Sequence, residues 1–237
     1  MTTEVSKPVW VVVGVGPGNG AAFARRFAAD GYRVALLARR TDFTMGLAKT
    51  LDGARAYACD VTDADSVARV FAAIRADLGE VDVLVYNPGA GVWANVEEIT
   101  LENFEQSWRS NAFGALLASK QVIPAMKQRR HGSIIFIGAT ASRRGGARTA
   151  AFAPAKAAQK SLAESMARHL GPAGVHVALV ILDGVVDTPS TRKMMPNKPD
   201  DFFIQADDVA DSVLHLTRQR PSAWSSEVEV RPFAEVW

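Results

Sequence analysis

The chain alternates short, wholly apolar runs with longer stretches whose apolar residues recur at helical spacing. Val9–Val13 is a β-branched run that stops at a glycine. Arg33–Ala38, Ala54–Cys59, Val81–Tyr86, Ser133–Ile137 and Val175–Ile181 repeat the pattern, and each is expected to form a strand. Among them lie Ala21–Ala29, Ser66–Leu78, Phe104–Gln128 and Ala150–Leu170, which have helical composition. The strand runs are apolar on both faces, as a buried parallel sheet requires. Strand, helix, strand in this order implies right-handed crossovers, and so an α/β fold with helices on both faces of a doubly wound parallel sheet. One segment breaks the rhythm. Asp187–Asp201 carries Pro189, Pro196 and Pro199 together with Met194 and Met195. It reads as a long loop or short helix, and as a substrate lid at about residues 187–205, because loops at the carboxyl ends of strands tend to cover ligands. A merely solvated insertion is the competing reading. No repeat or linker interrupts the pattern, so residues 1–237 are expected to form a single domain.

Between the first strand and the first helix lies Gly14-Val15-Gly16-Pro17-Gly18-Asn19-Gly20. Glycines allow the tight turn and let the backbone approach a pyrophosphate with no Cβ in the way. The helix that follows offers free N–H groups and the positive end of its dipole to the phosphates. The placement, after a strand and opening a helix, is what makes the motif specific, and it predicts a Rossmann-type dinucleotide site. About 20 residues past such glycines, an NAD-binding protein usually carries a carboxylate for the ribose hydroxyls. Here Ala38-Arg39-Arg40 takes that place. Guanidinium groups bind a 2′-phosphate that a carboxylate would repel, so NADP(H) is expected over NAD(H). Two solvated surface arginines are the plainer alternative.

Composition narrows the field further. Hydrophobic residues make up 48% of the 237 residues, charged residues 22%, and the net charge is +2. That balance gives no electrostatic case for nucleic acid or for an acidic membrane. Cys59 is the single cysteine and cannot form an internal disulfide. The histidines at 131, 169, 176 and 215 lack metal-ligand spacing, and no metal is expected. Met1 to Pro8 shows no signal-peptide core, so a cytoplasmic location is the expectation.

Several spaced motifs resemble those of the short-chain dehydrogenase/reductase family over essentially the whole chain. The glycine turn matches that family's, with Val13 in place of threonine. Asp60, followed by Val61, matches the aspartate that holds the adenine. Tyr86-Asn87-Pro88-Gly89 corresponds to the family's NNAG, and Asn111 to its tetrad asparagine. Asp183-Gly184-Val185-Val186-Asp187-Thr188 corresponds to the segment that contacts nicotinamide, with Asp183 replacing proline. By this resemblance the cofactor-binding set is Gly14, Gly16, Gly18, Asn19, Gly20, Arg39, Arg40, Asp60, Val61, Asn87, Gly89, Lys156, Gly184, Val186 and Thr188. The resemblance also implies a small-molecule substrate and a homo-oligomer, dimer or tetramer.

The catalytic motif departs from the family. Its YxxxK reads Phe152-Ala153-Pro154-Ala155-Lys156, and Ala139 falls where the family's serine belongs. The candidate catalytic residues that remain are Asn111, Lys156 and Thr140, the last as a nearby hydroxyl. Phenylalanine has no exchangeable proton. A positioned acid or base is worth about 10²–10⁴-fold, so ordinary carbonyl reduction by the family's route should be weakened. Three functions follow. The first is an NADP-dependent oxidoreductase for a small carbonyl or alcohol that draws its proton from Thr140, Tyr86, Lys156 or water. The second is a nucleotide-binding sensor or partner subunit with little or no turnover. The third is an enzyme acting on an activated double bond. Asp183 reads either as a replacement proton donor or as a turn cap. Trp93, Met194 and Met195 are candidate pocket walls. His169 reads as a helix-end charge, and Cys59 as a buried small apolar residue.

Overall fold

Parallel strands in the order β3-β2-β1-β4-β5-β6-β9 form the central sheet of the protein, here a computed structural model that describes residues 7–89 and 91–234. Residues 1–6 and 235–237, parts of the two terminal stretches, lie outside them. The strands are β1 (Val9–Val13), β2 (Arg33–Ala38), β3 (Ala54–Ala58), β4 (Val81–Tyr86), β5 (Ser133–Ala139), β6 (His176–Leu182) and β9 (Glu227–Val230). A small parallel pair, β7 (Val185–Val186) and β8 (Phe203–Ile204), stands apart. The order reverses between β1 and β4, which places the topological switch point of a doubly wound sheet there.

Alternate residues of the central strands feed two cores. Val9, Val11 and Val13 of β1 point to one face, where they meet α3 (Ala64–Leu78), α5 (Gly114–Arg129) and α6 (Phe152–Leu170) through Phe71, Ile74, Val122, Met126 and Met166. Trp10 and Val12 point to the other, with Phe23 and Phe27 of α1 (Asn19–Ala29) and Val209 and Val213 of α8 (Ala206–Thr217). Each such fully buried large side chain contributes about 1.5–3 kcal/mol. Both faces are thus covered, as expected.

Two expectations need correction, and Asp187–Asp201 takes the short helix of its two readings. The edge strand β3 is not apolar on both sides: it is only partly buried. The stretch Phe104–Gln128 is not one helix. It divides into α4 (Leu101–Trp108), a π-helical turn at Arg109–Phe113, and α5. The helices α2 (Asp42–Ala48) and α8, and the strand β9, are additions to the sequence reading. The segment Asp187–Asp201 carries α7 (Pro189–Met194), whose N-cap is Thr188 accepting from Thr191 N.

Beyond its parallel pairing with β6, the added strand is tied by charge. Arg143 pairs with Glu227 at 2.8 Å and with Glu229, and Lys160 of α6 pairs with Glu227. Among the described residues no helix is long and apolar enough to cross a membrane, and no group of three or more His, Cys, Asp or Glu is placed to hold a metal ion.

Candidate functional site

A cavity of about 730 Å³ opens at the switch point between β1 and β4. Its floor is the glycine turn. Gly14 needs its left-handed φ of 81° and lies so close to Pro88 that a Cβ there would sit 2.9 Å from Pro88 N. Asn87 Nδ2 donates to Gly14 O at 2.8 Å, tying the end of β4 to the turn. Gly16 faces open space, with nothing within 4 Å of where a Cβ would stand. Gly20 does a different job: a Cβ there would meet Val15 Cα at 2.6 Å, so this glycine lets α1 pack against its own turn. The first turn of α1 carries no acidic residue and no side-chain cap, which leaves its dipole unopposed. Asn19 Oδ1 is buried with no hydrogen-bond partner among the described residues.

The rim holds the charges. Arg39 and Arg40 are exposed, line the cavity, and form no salt bridge among the described residues. Asp60 Oδ1 accepts from Thr62 N at 2.9 Å and Thr62 Oγ1 at 2.7 Å. Burial works to raise the Asp60 pKa, but these bonds, with the positive charges of Arg39 and Arg109, hold it below the ordinary carboxylate value. Val61, Asn87 and Gly89 complete the sequence-expected lining. The sequence reading missed Asp42, Phe43, Thr62 and Ser110, which also face the cavity. Asp42 and Phe43 open α2, a helix the apolar pattern did not reveal.

Beside the cavity stands Lys156, buried to 2% exposure. Its ammonium donates to Ile137 O at 2.8 Å, Pro88 O at 3.0 Å and Gln159 Oε1 at 3.1 Å. Burial pushes its pKa down to about 7. Phe152 lies one helical turn earlier, with the lysine Nζ 5.9 Å from its ring centroid. The ring also meets Trp93 at 5.9 Å between centroids, and a Cβ on Gly91 would approach it to 2.7 Å. Asn111 is fully buried in the π-helical turn, where Nδ2 donates to Ser107 O at 2.8 Å and the main-chain carbonyl accepts from Gln159 Nε2 at 3.1 Å. π-Helical turns recur at functional sites.

The two hydroxyls among the candidate proton sources are each engaged by other groups. Tyr86 is fully buried, its hydroxyl donates to Ser110 O at 2.6 Å, and burial holds its pKa well above the usual value. Thr140 Oγ1 donates to Asp183 Oδ1 at 2.5 Å. Asp183 is buried, with Arg144 at 3.7 Å and Arg231 at 3.9 Å. It serves as an acceptor in an ionic cluster rather than as a turn cap. Ser142 Oγ accepts from Ala139 N at 3.1 Å. Cys59 is buried and its thiol is pushed up to about 11 by burial.

The nicotinamide-side residues are not gathered with the rest. Gly184 packs on Pro232 and Ile204, Val186 pairs with Ile204, and neither lines the cavity. Thr188 reaches the turn: a Cβ on Gly18 would stand 2.7 Å from Thr188 Cγ2. Met194 is exposed on α7. His169 sits in the last turn of α6, where a positive charge suits the helix dipole.

A model of the short chain dehydrogenase family matches residues 8–199. The chain belongs to that family. The 3-oxoacyl-acyl-carrier-protein reductase MabA of Mycobacterium tuberculosis is 37% identical over 197 residues, covering 81% of this chain and 76% of MabA. The corresponding reductase FabG of Escherichia coli is 31% identical over 189 residues, covering 78% of this chain and 75% of its own length. Among solved structures, a metagenomic short-chain oxidoreductase in complex with NADP superposes with a TM-score of 0.82 at 30% identity, over 95% of this chain and 97% of that one. An alcohol dehydrogenase from Thermococcus sibiricus complexed with 5-hydroxy-NADP reaches 0.87 at 25% identity, over 97% and 98%. Within this short-chain dehydrogenase the residue at 152 is a phenylalanine, and the residue that joins Lys156 to Asn111 is Gln159, which the sequence reading did not single out.

Proposed function

We propose that the protein binds NADP(H) in the switch-point cavity and is an oxidoreductase acting on a small carbonyl or alcohol, or on an activated double bond, with a proton donor other than residue 152. The observation that carries this reading is the pair Arg39 and Arg40: two exposed guanidinium groups on the cavity wall, without salt bridges among the described residues, just past β2. The residues fit the cofactor. Gly16 leaves the cradle open, α1 presents an unopposed dipole, and the orphaned Asn19 Oδ1 has a polar group to gain. When bound, the nicotinamide nucleotide supplies or accepts the hydride.

The roles of the chain's own residues follow. Gly14, Gly16, Gly18, Asn19 and Gly20 form the phosphate cradle, and Arg39 and Arg40 take the 2′-phosphate. Asp60 and Val61 hold the adenine side. Asn87, Gly89 and Lys156 serve the nicotinamide ribose, and Gly184, Val186 and Thr188 border the nicotinamide. The lid, about 187–205, is braced by Arg192, whose guanidinium grips Asp187 at 2.8 and 2.7 Å. Phe152 and Ala139 stand where the family's tyrosine and serine would be, and Asn111 and Lys156 remain. Of the hydroxyls considered, Thr140 is the one left beside this site. Its proton goes to Asp183, so it can accept a hydrogen bond more readily than donate one.

That commitment favours a second reading: a nucleotide-binding sensor or partner subunit with little turnover. The relatives' names make 3-oxoacyl compounds the first carbonyls to assay. The assembly we propose is a homo-oligomer, dimer or tetramer.

Calorimetric titration with NADPH and NADH tests the cofactor assignment. NADPH should bind more tightly, and Arg39→Asp should weaken NADPH more than NADH. Equal affinities in the unmodified protein would remove the basis of the reading. Stoichiometric NADPH oxidation with a reduced product separates the enzyme from the sensor.

A further inference from the structure

Gln159 follows Lys156 by three positions on α6, so the two share a helix face, and it is fully buried. Its carbonyl oxygen accepts from Lys156 Nζ at 3.1 Å, and its amide donates to Asn111 O at 3.1 Å. The amide can stand only this way round. Flipped, it would set N–H against ammonium and oxygen against carbonyl. In its charged form Lys156 has three protons, and here three acceptors take them. Two are main-chain carbonyls fixed in position, Pro88 O just past β4 and Ile137 O within β5. The third is the Gln159 side chain. Pro88 itself lines the cavity, so the ammonium lies next to the space a nucleotide would enter, with every proton already engaged by protein.

We propose that Gln159 is a positioning residue that engages the third proton of Lys156 and anchors it to the π-helical turn at Asn111, so that a nucleotide gains the lysine only by displacing the Gln159 amide. The proposal rests on the reading of the cavity as a nicotinamide nucleotide site. Gln159 then sets affinity at the nicotinamide end and leaves the adenine end untouched. A residue that merely filled space in α6 would move both ends together.

Two probes separate these cases. NADPH carries the nicotinamide ribose, and adenosine 2′,5′-bisphosphate does not. Both are titrated by calorimetry into the unmodified protein, Gln159→Leu and Gln159→Glu. Leucine keeps the bulk and removes the acceptor. NADPH should then bind about tenfold more tightly, the worth of one displaced hydrogen bond to a charged group, at unchanged bisphosphate affinity. Glutamate keeps an acceptor and adds charge, so NADPH should bind more weakly, again at unchanged bisphosphate affinity. Unchanged NADPH binding in Gln159→Leu, or a parallel fall for both probes, overturns the proposal. If the leucine variant does not fold, the glutamate variant decides, and tighter NADPH binding there overturns it. An unmodified protein that binds neither probe sinks the nucleotide reading, and the proposal with it. One that binds both, with no effect of either substitution, sinks the proposal alone.

Discussion

Phe152 offers Lys156 the face of a ring and no proton. The ring is held between Trp93, Gly91 and the lysine one turn on, so its place is set by packing rather than by a hydrogen bond. Adding a hydroxyl to a ring so held changes chemistry more than shape. We expect Phe152→Tyr combined with Ala139→Ser to raise NADPH-dependent reduction of diketones and 3-oxoacyl compounds by about 10²-fold or more, the usual worth of a positioned acid. NADPH absorbance loss measures it. Fast turnover by the unmodified protein would instead point to a proton from Thr140 or from water, and Thr140→Val would then be the next variant. No gain would mean that the surroundings of residue 152 have been rebuilt for another task. Phe152 and Lys156 were visible in the sequence because their spacing forms a motif. Gln159 was not, since a glutamine in a helix reads as solvated. The three-residue step from the lysine of that motif was the available clue.

At the scale of elements, the glycine turn divides its labour in a way spacing alone does not reveal. Gly16 has room for a Cβ, whereas at Gly20 a Cβ would press into the main chain of Val15. Gly20→Ala should therefore destabilise the fold by about 1–3 kcal/mol, the cost of overpacking, read as a lower denaturant midpoint. Gly16→Ala should leave that midpoint unchanged and weaken NADPH binding, because the new methyl group intrudes on the cradle. The opposite pattern would reverse the two roles. The central strands were legible because burial on both faces leaves uninterrupted apolar runs, as in β1, β4 and β6. β9 was hidden for the converse reason: Glu227-Val228-Glu229-Val230 alternates and lies half-buried at an edge. The division of Phe104–Gln128 had no sequence signal, since a π-helical turn changes hydrogen-bond register and not composition. α8 does carry a sequence signal: Val209, Val213 and Leu216 recur on one face behind Asp207 and Asp208, the acidic first turn expected of a helix start.

The whole molecule leaves an apolar surface uncovered. Leu101 is 85% exposed, and Phe104, Trp108 and Leu116 are exposed on α4 and α5. Exposed apolar side chains concentrated on adjoining helices mark an association surface, and in a symmetric oligomer the same surface meets itself. We expect a dimer or tetramer at micromolar concentration by light scattering, and a smaller mass for Trp108→Glu at unchanged helix content. A monomeric unmodified protein would refute this. The same sheet has another boundary, with a consequence for how the chain is made. β6 is buried along its entire length, yet one of its two neighbours is β9, which follows it by more than forty positions and is clasped by Arg143 and Lys160. Until Glu227–Val230 has been synthesised and docked, a long hydrophobic strand stands at the margin with unpaired N–H and C=O groups, a template for any neighbouring nascent chain. Because ion pairs clasp β9, raising the salt concentration should lower the yield on refolding.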